Sequence, residues 1–368
     1  MRPVRWGRAV QVASVATISA RLARALGARP PVTRSTRPGP SITVVVPARD
    51  EADRIAPLLT ALRGAPRVRS VIVVDDGSSD GTARVAAAAG ATVLAGLSPP
   101  IGWTGKTWAL EQGVRVADTE WIVTFDADVV PDPDLPRSAV DRAIADRLDL
   151  LTLAGRFELT GVAARSLHAA MLAQLVLRFG PPGGSRRLAN GQSIVARRSI
   201  LLGGLRAVSG DLVEDVALAR HLASVGRVDF LDATDLMTVR PYGSAREVWT
   251  GWGRSIGLRG IEPRWRQLLE LVVVASAVVA PPIGLVRRRV DPVDVVAIAL
   301  RVGTLVGMRR AYVGRGVGYW CSPLADPIAL AATFTGLTVR SPTWRGRRVA
   351  PRRRRSRTAV PRRSSARP

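Results

Sequence analysis

The amino-acid sequence predicts an α/β fold over most of its length, followed by apolar helices near its C-terminal end. Short apolar runs rich in β-branched residues alternate with helical patterns between residues 41 and 132, which is typical of a mostly parallel sheet with right-handed crossovers. Acidic residues directly follow two of these runs. Because ligands of such sheets bind beyond the carboxyl ends of the strands, these acidic residues are candidates for a binding site.

The predicted elements follow one another in a regular order. The runs "SITVVVP" and "VRSVIVVDD" predict two buried strands, and the segment "ADRIAPLLTALRG" between them has helical spacing. After them, "ARVAAAAG" predicts a helix, "ATVLA" a third strand, "TGKTWALEQGVRVA" a helix and "EWIVTFDADVVPD" a fourth strand.

Carboxylates stand where the second and fourth predicted strands end: Asp75 and Asp76, then Asp126 and Asp128. Two carboxylates in a "DAD" triplet can approach one hard cation, and Mg²⁺ or Mn²⁺ bound in this way usually shares its shell with substrate phosphates. A solvated turn is the alternative for so short a motif. The adjacent pair Asp75 and Asp76 could accept hydrogen bonds from a nucleobase and from ribose hydroxyls.

Two further positions stand out. Glu214 and Asp215 open the helical segment "EDVALARHL", where the helix dipole favours carboxylates in any case, but a carboxylate facing the ligand edge of the sheet also suits a general base. Lys106 is the only lysine among 54 Lys and Arg residues. Chance usage is one explanation, and a site that needs a compact ammonium group is the other.

The composition limits the classes of partner. The formal net charge of +25 indicates an anionic partner, which could be nucleic acid, a membrane surface or a phosphorylated substrate. Cys321 is the single cysteine, which excludes an intramolecular disulfide. The two histidines, His168 and His221, stand apart, so no histidine-centred metal site is expected and neither is predicted to have a chemical role.

The two ends of the chain differ from its middle. Residues 1–40 predict an amphipathic interfacial helix or a weak membrane anchor with a linker, and residues 41–264 the catalytic domain. The apolar stretches 268–286, 292–308 and 323–339 predict a membrane-associated helical region over 265–343, although buried helices of a second soluble domain are the alternative. From Arg345 onward the chain holds 11 arginines and no acidic residue, which predicts a disordered basic tail over 344–368.

Four ordered pieces resemble the family 2 glycosyltransferases of the GT-A fold: "VVVPARDEADRI", "VIVVDDGSSDGT", "FDADVVPDPD" and "NGQSIVARRSILLGGL" with the following "LVEDVALA". The resemblance runs from about Ser41 to Leu258. The segments "GWTGKTWAL", "EDVALARHL" and "SPTWRGRRV" look most like the membrane-associated carotenoid and hopanoid-associated branch.

The resemblance implies a role for each matching position. Pro47, Glu51, Asp75, Asp76 and Asp126 match donor-binding positions, Asp128 with Asp126 matches the metal site, Asp215 matches the catalytic base beside Glu214, and Lys106 lies on the diphosphate side of the pocket. The implied metal is Mg²⁺ or Mn²⁺. The Q-x-x-R-W motif of processive members is replaced by "VWTGWGRS", which implies a single transfer. Trp249, Trp252 and Arg254 are then candidates for acceptor or diphosphate contacts, with ordinary packing as the alternative for the tryptophans.

The implied activity is inverting transfer of a sugar from a UDP- or GDP-sugar to a hydroxyl or carboxyl of a lipid-like acceptor. The implied location is the cell membrane, with the catalytic domain in the cytoplasm. One alternative is a GT-A-like nucleotidyltransferase, but "PARDEADR" after the first strand is acid-rich where those enzymes carry a basic glycine-rich loop. The other is a basic protein that binds nucleic acid or a membrane surface without catalysis. No specific nucleic acid is expected, since aromatic residues make up only 5%.

Overall fold

The structure is a computed structural model of the chain. It describes residues 2–27, 29–180, 188–338, 343–344 and 347–348, and of residues 2–6, 25–26, 254, 343–344 and 347–348 it describes the backbone alone. The predicted basic tail therefore lies outside the described residues apart from three positions, and so does the side chain of Arg254.

The described strands, in chain order, are β1 (Ile42–Ala48), β2 (Val68–Asp75), β3 (Thr92–Ala95), β4 (Trp121–Phe125), β5 (Val129–Pro131), β6 (Leu150–Ala154), β7 (Arg156–Phe157), β8 (Ser193–Arg197), β9 (Val228–Asp232), β10 (Met237–Val239), β11 (Thr343–Trp344) and β12 (Arg347–Arg348). The helices that follow the N-terminal α1 (Arg2–Ala23) are α2 (Ala52–Leu62), α3 (Thr82–Ala88), α4 (Gly105–Val116), α5 (Leu135–Ala145), α6 (Val162–Phe179), α7 (Arg198–Ala207), α8 (Glu214–Leu222) and α9 (Ala245–Ser255). The last helices are α10 (Arg264–Val278), α11 (Ala280–Val286), α12 (Pro292–Met308), α13 (Val317–Trp320) and α14 (Asp326–Thr338), with 3-10 turns at Arg24–Gly27, Arg309–Ala311 and Ser322–Ala325.

The central sheet has seven strands in the order β3-β2-β1-β4-β8-β6-β9. β1 pairs in parallel with β2 and β4, and β2 pairs in parallel with β3. β8 runs antiparallel to both of its neighbours, β4 and β6. The sheet is therefore mixed but mostly parallel, as the sequence predicts, and a small second sheet joins β5, β10 and β7.

Helices cover both faces of the central sheet. Alternate residues of β1 point to opposite faces: Val44 and Val46 join one buried cluster with helix α2, and Val45 joins another with α4, α7 and α8. Helix α4 approaches the sheet closely at Gly113, where a Cβ atom would lie 2.5 Å from Val45 Cγ1 and 2.9 Å from Val74 Cγ2. Glycine at this position lets the helix that carries Lys106 lie directly on the central strands.

The C-terminal helices pack on α6 and α1. Val274 of α10, Ala297 of α12, Ile18 of α1 and Leu177 of α6 are buried in one apolar cluster. The guanidinium of Arg301 on α12 donates to both carboxylate oxygens of Asp326 on α14, at 2.8 and 2.9 Å. These two charges interrupt the predicted apolar stretches, and in the fold they neutralise each other in the interior.

Helix α12 has the bounds of the predicted stretch 292–308, whereas α14 is shorter than the predicted stretch 323–339. Helix α12 has 17 residues and α14 has 13, which is below the about 20 residues that cross a bilayer. Within the described part of the chain, one helical stretch, Arg264–Val286, is long and apolar enough for a span by length and composition. C-terminal helices are thus present where predicted, but the fold supports fewer candidate spans than the three apolar stretches indicated.

Candidate active site

Two acidic residues follow β2 at the carboxyl edge of the sheet. Asp75 Oδ1 accepts from the backbone N–H of Ser78 at 3.2 Å, which closes the tight turn predicted there. Asp76 is buried, and Arg49 Nη1 lies 3.8 Å from its Oδ2. Asp75 therefore holds the turn, and Asp76 is the carboxylate buried at the strand edge.

Glu51 stands at the start of α2, next to the same edge. Its carboxylate lies 3.3 Å from Arg54 Nε. Pro47 belongs to β1, where its register partner is Val74 on β2. Four of the predicted donor residues are therefore gathered at the ends of β1 and β2: Pro47, Glu51, Asp75 and Asp76.

Asp126 and Asp128 lie in the link between β4 and β5. The backbone N–H of Asp126 donates to Gln192 O at 3.1 Å, which ties this link to the segment before β8. Asp128 Oδ1 is buried and accepts no hydrogen bond from the described residues. Burial, with the charges of Asp126 and Glu51 beside it, raises the pKa of Asp128 to about 7.

Lys106 joins two of the predicted motifs. It lies in the first turn of α4, and its Nζ is 2.8 Å from Asp126 Oδ1 and 2.9 Å from Glu214 Oε1. Burial alone would lower the pKa of Lys106, but the two facing carboxylates outweigh it and raise the pKa well above its ordinary value. The ammonium group is therefore a fixed positive charge between the "DAD" triplet and the start of α8.

Asp215 is the second residue of α8 and points back to the segment before β8. Its Oδ2 accepts from the N–H of Gly191 at 2.8 Å, and its Oδ1 from its neighbour Val216 at 2.7 Å. Burial and the adjacent charge of Glu214 outweigh these hydrogen bonds and raise the pKa of Asp215 to about 7. A carboxyl group that titrates near neutrality at a sheet edge has the properties of a general base.

Gly191 is a residue of the site that the sequence did not single out. A Cβ atom there would lie 3.2 Å from Lys106 Nζ and 3.4 Å from Asp215 Oδ2. Only a small residue leaves room for both groups, so the fold assembles Lys106 and Asp215 around this glycine. The quoted piece "NGQSIVARR" contains it, but its neighbours come from distant parts of the chain and no local pattern identifies them.

A cavity of about 1250 Å³ begins at Asp215 and extends away from the donor residues. Asn190, Gln192 and Asp215 line one end, while Leu300, Gly303 and Gly307 of α12 are among the residues elsewhere in its wall. Apolar side chains form most of the wall. Pro47, Glu51, Asp76 and Asp126 are not among its lining residues, so the cavity and the donor edge meet only near Asp215.

Aromatic side chains form part of the cavity wall. Trp252 stacks on His168 with ring centroids 4.2 Å apart, and both line the cavity. His168 Nδ1 is hydrogen-bonded to Tyr312 Oη at 2.8 Å, and burial lowers the pKa of His168 to about 3, so the ring is neutral. Trp252 therefore packs against His168 and also lines the cavity. Trp249 is half-buried against the core. His168 has surroundings that its isolated position in the sequence did not reveal.

The residues present fit a divalent cation. Asp126 and Asp128 are hard oxygen donors of the kind that Mg²⁺ and Mn²⁺ prefer, and the buried Oδ1 of Asp128 lacks a hydrogen-bond partner in the described residues. Among the described residues there is no group of three or more His, Cys, Asp or Glu side chains arranged to hold a metal ion. A cation here would therefore take its remaining ligands from a substrate or from water.

Comparisons with known proteins find similarity to glycosyltransferases over part of the chain. A family model for "Glycosyl transferase family 2" matches residues 43–193. The 4,4'-diaponeurosporenoate glycosyltransferase of Staphylococcus aureus is 46% identical over 90 residues, which is 24% of this chain and 24% of that protein. The chain thus matches about a quarter of the length of this curated relative.

A solved structure shares the fold. A mannosyltransferase from Pyrobaculum calidifontis, solved with GDP-Man and Mn²⁺, is 17% identical and superimposes with a TM-score of 0.53 over 88% of this chain and 96% of that one. Glucosyl-3-phosphoglycerate synthase from Mycobacterium tuberculosis, solved with Mn²⁺ and UDP, is 20% identical with a TM-score of 0.44 over 62% of this chain and 86% of that one. The first of these likenesses assigns the α/β architecture to the GT-A type.

Proposed function

Since residues 43–193 belong to glycosyl transferase family 2, we propose that the protein is an inverting, metal-dependent glycosyltransferase that moves a sugar from a nucleotide-sugar to a membrane lipid. The observation that carries this proposal is the meeting of two unlike regions at Asp215. On one side lies an edge with the carboxylates and the single lysine, and on the other an apolar cavity.

The donor occupies the sheet edge in this proposal. Glu51 and Asp76 accept hydrogen bonds from the base and the ribose of a UDP- or GDP-sugar. The mannosyltransferase with the same fold supports a nucleotide-sugar as the donor because it was solved with GDP-Man and Mn²⁺. Asp128 and Asp126 would hold Mg²⁺ or Mn²⁺, which when bound neutralises charge on a diphosphate. Lys106 supplies a second, permanent positive charge at the same place.

Asp215 is the general base for a hydroxyl acceptor. The acceptor oxygen forms a bond to the anomeric carbon as the bond from that carbon to the diphosphate oxygen breaks. The bonding electrons leave with the nucleoside diphosphate, and the acceptor's proton passes to Asp215. Positioning and fixed charges contribute most of the rate enhancement in such a reaction.

The base also distinguishes two kinds of acceptor. The name of the Staphylococcus aureus relative refers to 4,4'-diaponeurosporenoate, which is a carboxylate. A carboxylate acceptor is already ionised at neutral pH. Such an acceptor needs no base, whereas a hydroxyl acceptor does. The size of the effect of an Asp215 substitution therefore reports which of the two groups receives the sugar.

The surface of the C-terminal helices supports a location at the membrane. Exposed apolar side chains lie on α10, α11 and α12, and we call them the apolar surface: Trp265, Leu268, Leu269, Val272, Ile283, Leu285, Val286, Val295, Val302 and Val306. Exposed arginines flank them at 264, 266 and 287–289. This combination suits the boundary of an anionic bilayer. Because nucleotide-sugars are cytoplasmic, we place the catalytic domain on the cytoplasmic side of the cell membrane.

The test combines donor binding with transfer. We expect UDP or GDP to raise the melting temperature of the purified protein when Mn²⁺ is present, because a ligand of the native state stabilises it. Radiolabelled sugar from the matching donor should then enter a membrane-lipid extract. Asp215→Asn should lower transfer to a hydroxyl acceptor by roughly 10²- to 10⁴-fold and leave the nucleotide-induced shift intact.

Three outcomes would contradict the proposal. Release of pyrophosphate with a nucleotidylated product would make the protein a nucleotidyltransferase. Full transfer in excess chelator would show that the reaction needs no metal. Loss of nucleotide binding in Asp215→Asn would place Asp215 in the donor site.

A further inference from the structure

We propose that the cavity behind Asp215 binds the hydrocarbon chain of the acceptor lipid, and that the chain enters through a mouth on α12 formed by Ala299, Gly303 and Gly307. This inference rests on the proposed function and adds the binding site and the route of the acceptor. The occupant is a lipid with one long hydrocarbon chain that ends in a hydroxyl or carboxyl group.

The inner end of the cavity fits the reacting group. Asp215, Gln192 and Asn190 are the polar residues there, and Asp215 is held in place by the N–H of Gly191 at 2.8 Å. An acceptor oxygen at this end reaches the proposed base. The hydrocarbon behind it then points away from the charged donor edge. A hydrocarbon at that edge would remove water from the charged groups without replacing their hydrogen bonds, which is unfavourable.

The wall beyond this end suits a hydrocarbon chain. Four residues of α6, His168, Leu172, Leu175 and Val176, and Gly180 directly after the helix line the cavity and follow helical spacing along one face. At 1.5 Å per residue this face extends the wall by about 18 Å. His168 is neutral and stacked on Trp252, so this part of the wall presents ring surfaces without charge.

The size and charge of the cavity exclude a small anionic ligand as its main occupant. Its volume of about 1250 Å³ exceeds the range of about 300–1,000 Å³ that is usual for pockets of drug-sized ligands. Three exposed arginines, Arg24, Arg29 and Arg310, are among its lining residues. Arg29 is paired with Asp229 at 2.7 Å and Arg310 with the carboxylate of Asp235 at 2.6 Å. The carboxylates of Asp215, Asp229 and Asp232 line the same cavity and oppose an anion. The remaining wall is mostly apolar and offers contact to a chain rather than to a phosphate.

The mouth lies on α12, beside the apolar surface. Ala299, Gly303 and Gly307 line the cavity and are also exposed, and a Cβ atom at either glycine would meet no atom within 4 Å. Val302 and Val306, exposed by 49% and 42%, adjoin them on the same helix. An acceptor in a bilayer in contact with these valines is therefore next to the opening.

Variants that fill the mouth test the proposal. Gly303→Leu and Gly307→Leu place a side chain in open space at the mouth, and Gly203→Leu is the matched control. Gly203 is also an exposed helical glycine with no atom within 4 Å of an added Cβ, but it lies on α7 and does not line the cavity. The assay compares kcat/KM for a long-chain and a short-chain primary alcohol in detergent micelles.

We expect the long-chain to short-chain ratio of kcat/KM to fall about tenfold or more in the two mouth variants, which corresponds to at least about 1.4 kcal/mol. The ratio should stay constant in Gly203→Leu. The Mn²⁺-dependent thermal shift with UDP or GDP reports folding and donor binding in all three proteins. An unchanged ratio in both mouth variants, with transfer intact, would overturn the acceptor route. Absence of transfer to any lipid by the wild-type chain, with nucleotide binding intact, would instead overturn the proposed function.

A second measurement does not depend on turnover. A long-chain alcohol with a photoreactive diazirine at mid-chain should label α6 between Leu172 and Val176, and Gly303→Leu should reduce that labelling. Labelling confined to the exposed side chains of α10 and α11 would contradict a cavity site.

Discussion

At the scale of single residues, Lys106 explains why one lysine stands among so many arginines. Its ammonium group lies between Asp126 and Glu214 at 2.8 and 2.9 Å, and Gly191 closes the space beside it. A planar guanidinium is larger and points its donors in fixed directions. The predicted contact of Lys106 with a diphosphate stays a prediction, but its two carboxylate partners give the compact group a structural reason.

The pH dependence of transfer should report Asp215. The base form exists above its pKa of about 7, so kcat/KM for a hydroxyl acceptor should rise about tenfold per pH unit below pH 7 and level off above it. Glu214 raises this pKa and Lys106 lowers it. Glu214→Gln should therefore shift the rise in kcat/KM to lower pH, and Lys106→Ala should shift it to higher pH. If kcat/KM rose at the same pH in both variants and in the wild type, the titrating group would be one other than Asp215.

Asp128 should limit stability as well as serve the metal. Its buried oxygen lacks a hydrogen bond in the described residues and lies near Asp126 and Glu51. In chelator at pH 8, above its raised pKa, Asp128→Asn should increase the unfolding free energy by about 1 kcal/mol, and the gain should fade toward pH 4. Transfer should be lost in the same protein. Denaturant titration measures the first and the radiolabel assay the second.

The control for that variant is Asp132, which follows β5 directly. Asp132 accepts hydrogen bonds from Arg34 and from the N–H of Asp134, which together lower its pKa. Asp132→Asn should therefore reduce stability at pH 8. If both substitutions changed stability in the same direction, the electrostatic explanation for Asp128 would be wrong.

The site residues that the sequence predicted are positioned by local structure, and those that it missed are positioned by contacts with distant segments. Asp75, Asp76, Asp126 and Asp128 follow buried strands, so local pattern was enough to bring them to one edge. Gly191 and His168 gain their surroundings from segments far away in the chain, such as Asp215 and Tyr312. A pattern read along the sequence contains no information on such contacts.

At the scale of elements, the close crossing of α9 and α14 depends on Gly336. A Cβ atom at Gly336 would collide with the backbone carbonyl of Gly253, and α9 also carries Trp252, which lines the cavity. Gly336→Ala should therefore destabilise the protein by about 1–3 kcal/mol through overpacking. Gly303→Ala, where the added atom meets nothing within 4 Å, should be neutral or stabilising by up to about 1 kcal/mol.

Thermal or denaturant unfolding of the two variants measures this contrast. A fall in stability for Gly303→Ala as large as that for Gly336→Ala would mean that helix geometry, and not the close crossing, sets the effect.

The elements also separate what the sequence could predict from what it could not. β1 to β4 and the helices between them follow the predicted order, because each has a local period and clear ends. The antiparallel insertion of β8 between β4 and β6 depends on long-range pairing. Likewise, α12 and α14 were predicted from apolar composition as membrane-associated, but the buried pair of Arg301 and Asp326 shows that part of their surface is interior to the protein.

At the scale of the whole molecule, positive charge and the apolar surface should act together on a membrane. We expect the protein to sediment with vesicles that contain anionic lipid. Raising the salt from about 0.1 M to about 1 M shortens the screening length from about 10 to 3 Å, which should weaken binding without abolishing it. Trp265 and Leu269 are 67% and 53% exposed, and their replacement by Glu should remove most of the binding that survives high salt.

Val225 provides the control, since it is 77% exposed and lies between α8 and β9. Val225→Glu should leave vesicle binding unchanged. Equal losses at positions 225, 265 and 269 would show that the added negative charge, and not the apolar surface, is responsible.

The mouth on α12 also determines in which unit the acceptor concentration should be expressed. Ala299, Gly303 and Gly307 open the cavity beside exposed valines, so lipid exchange takes place in two dimensions, between the protein and the bilayer. Diluting the acceptor with an inert lipid should then slow transfer even when the bulk amounts of enzyme and acceptor stay constant. The half-saturating acceptor level should be a mole fraction, and adding more vesicles of the same composition should leave it unchanged.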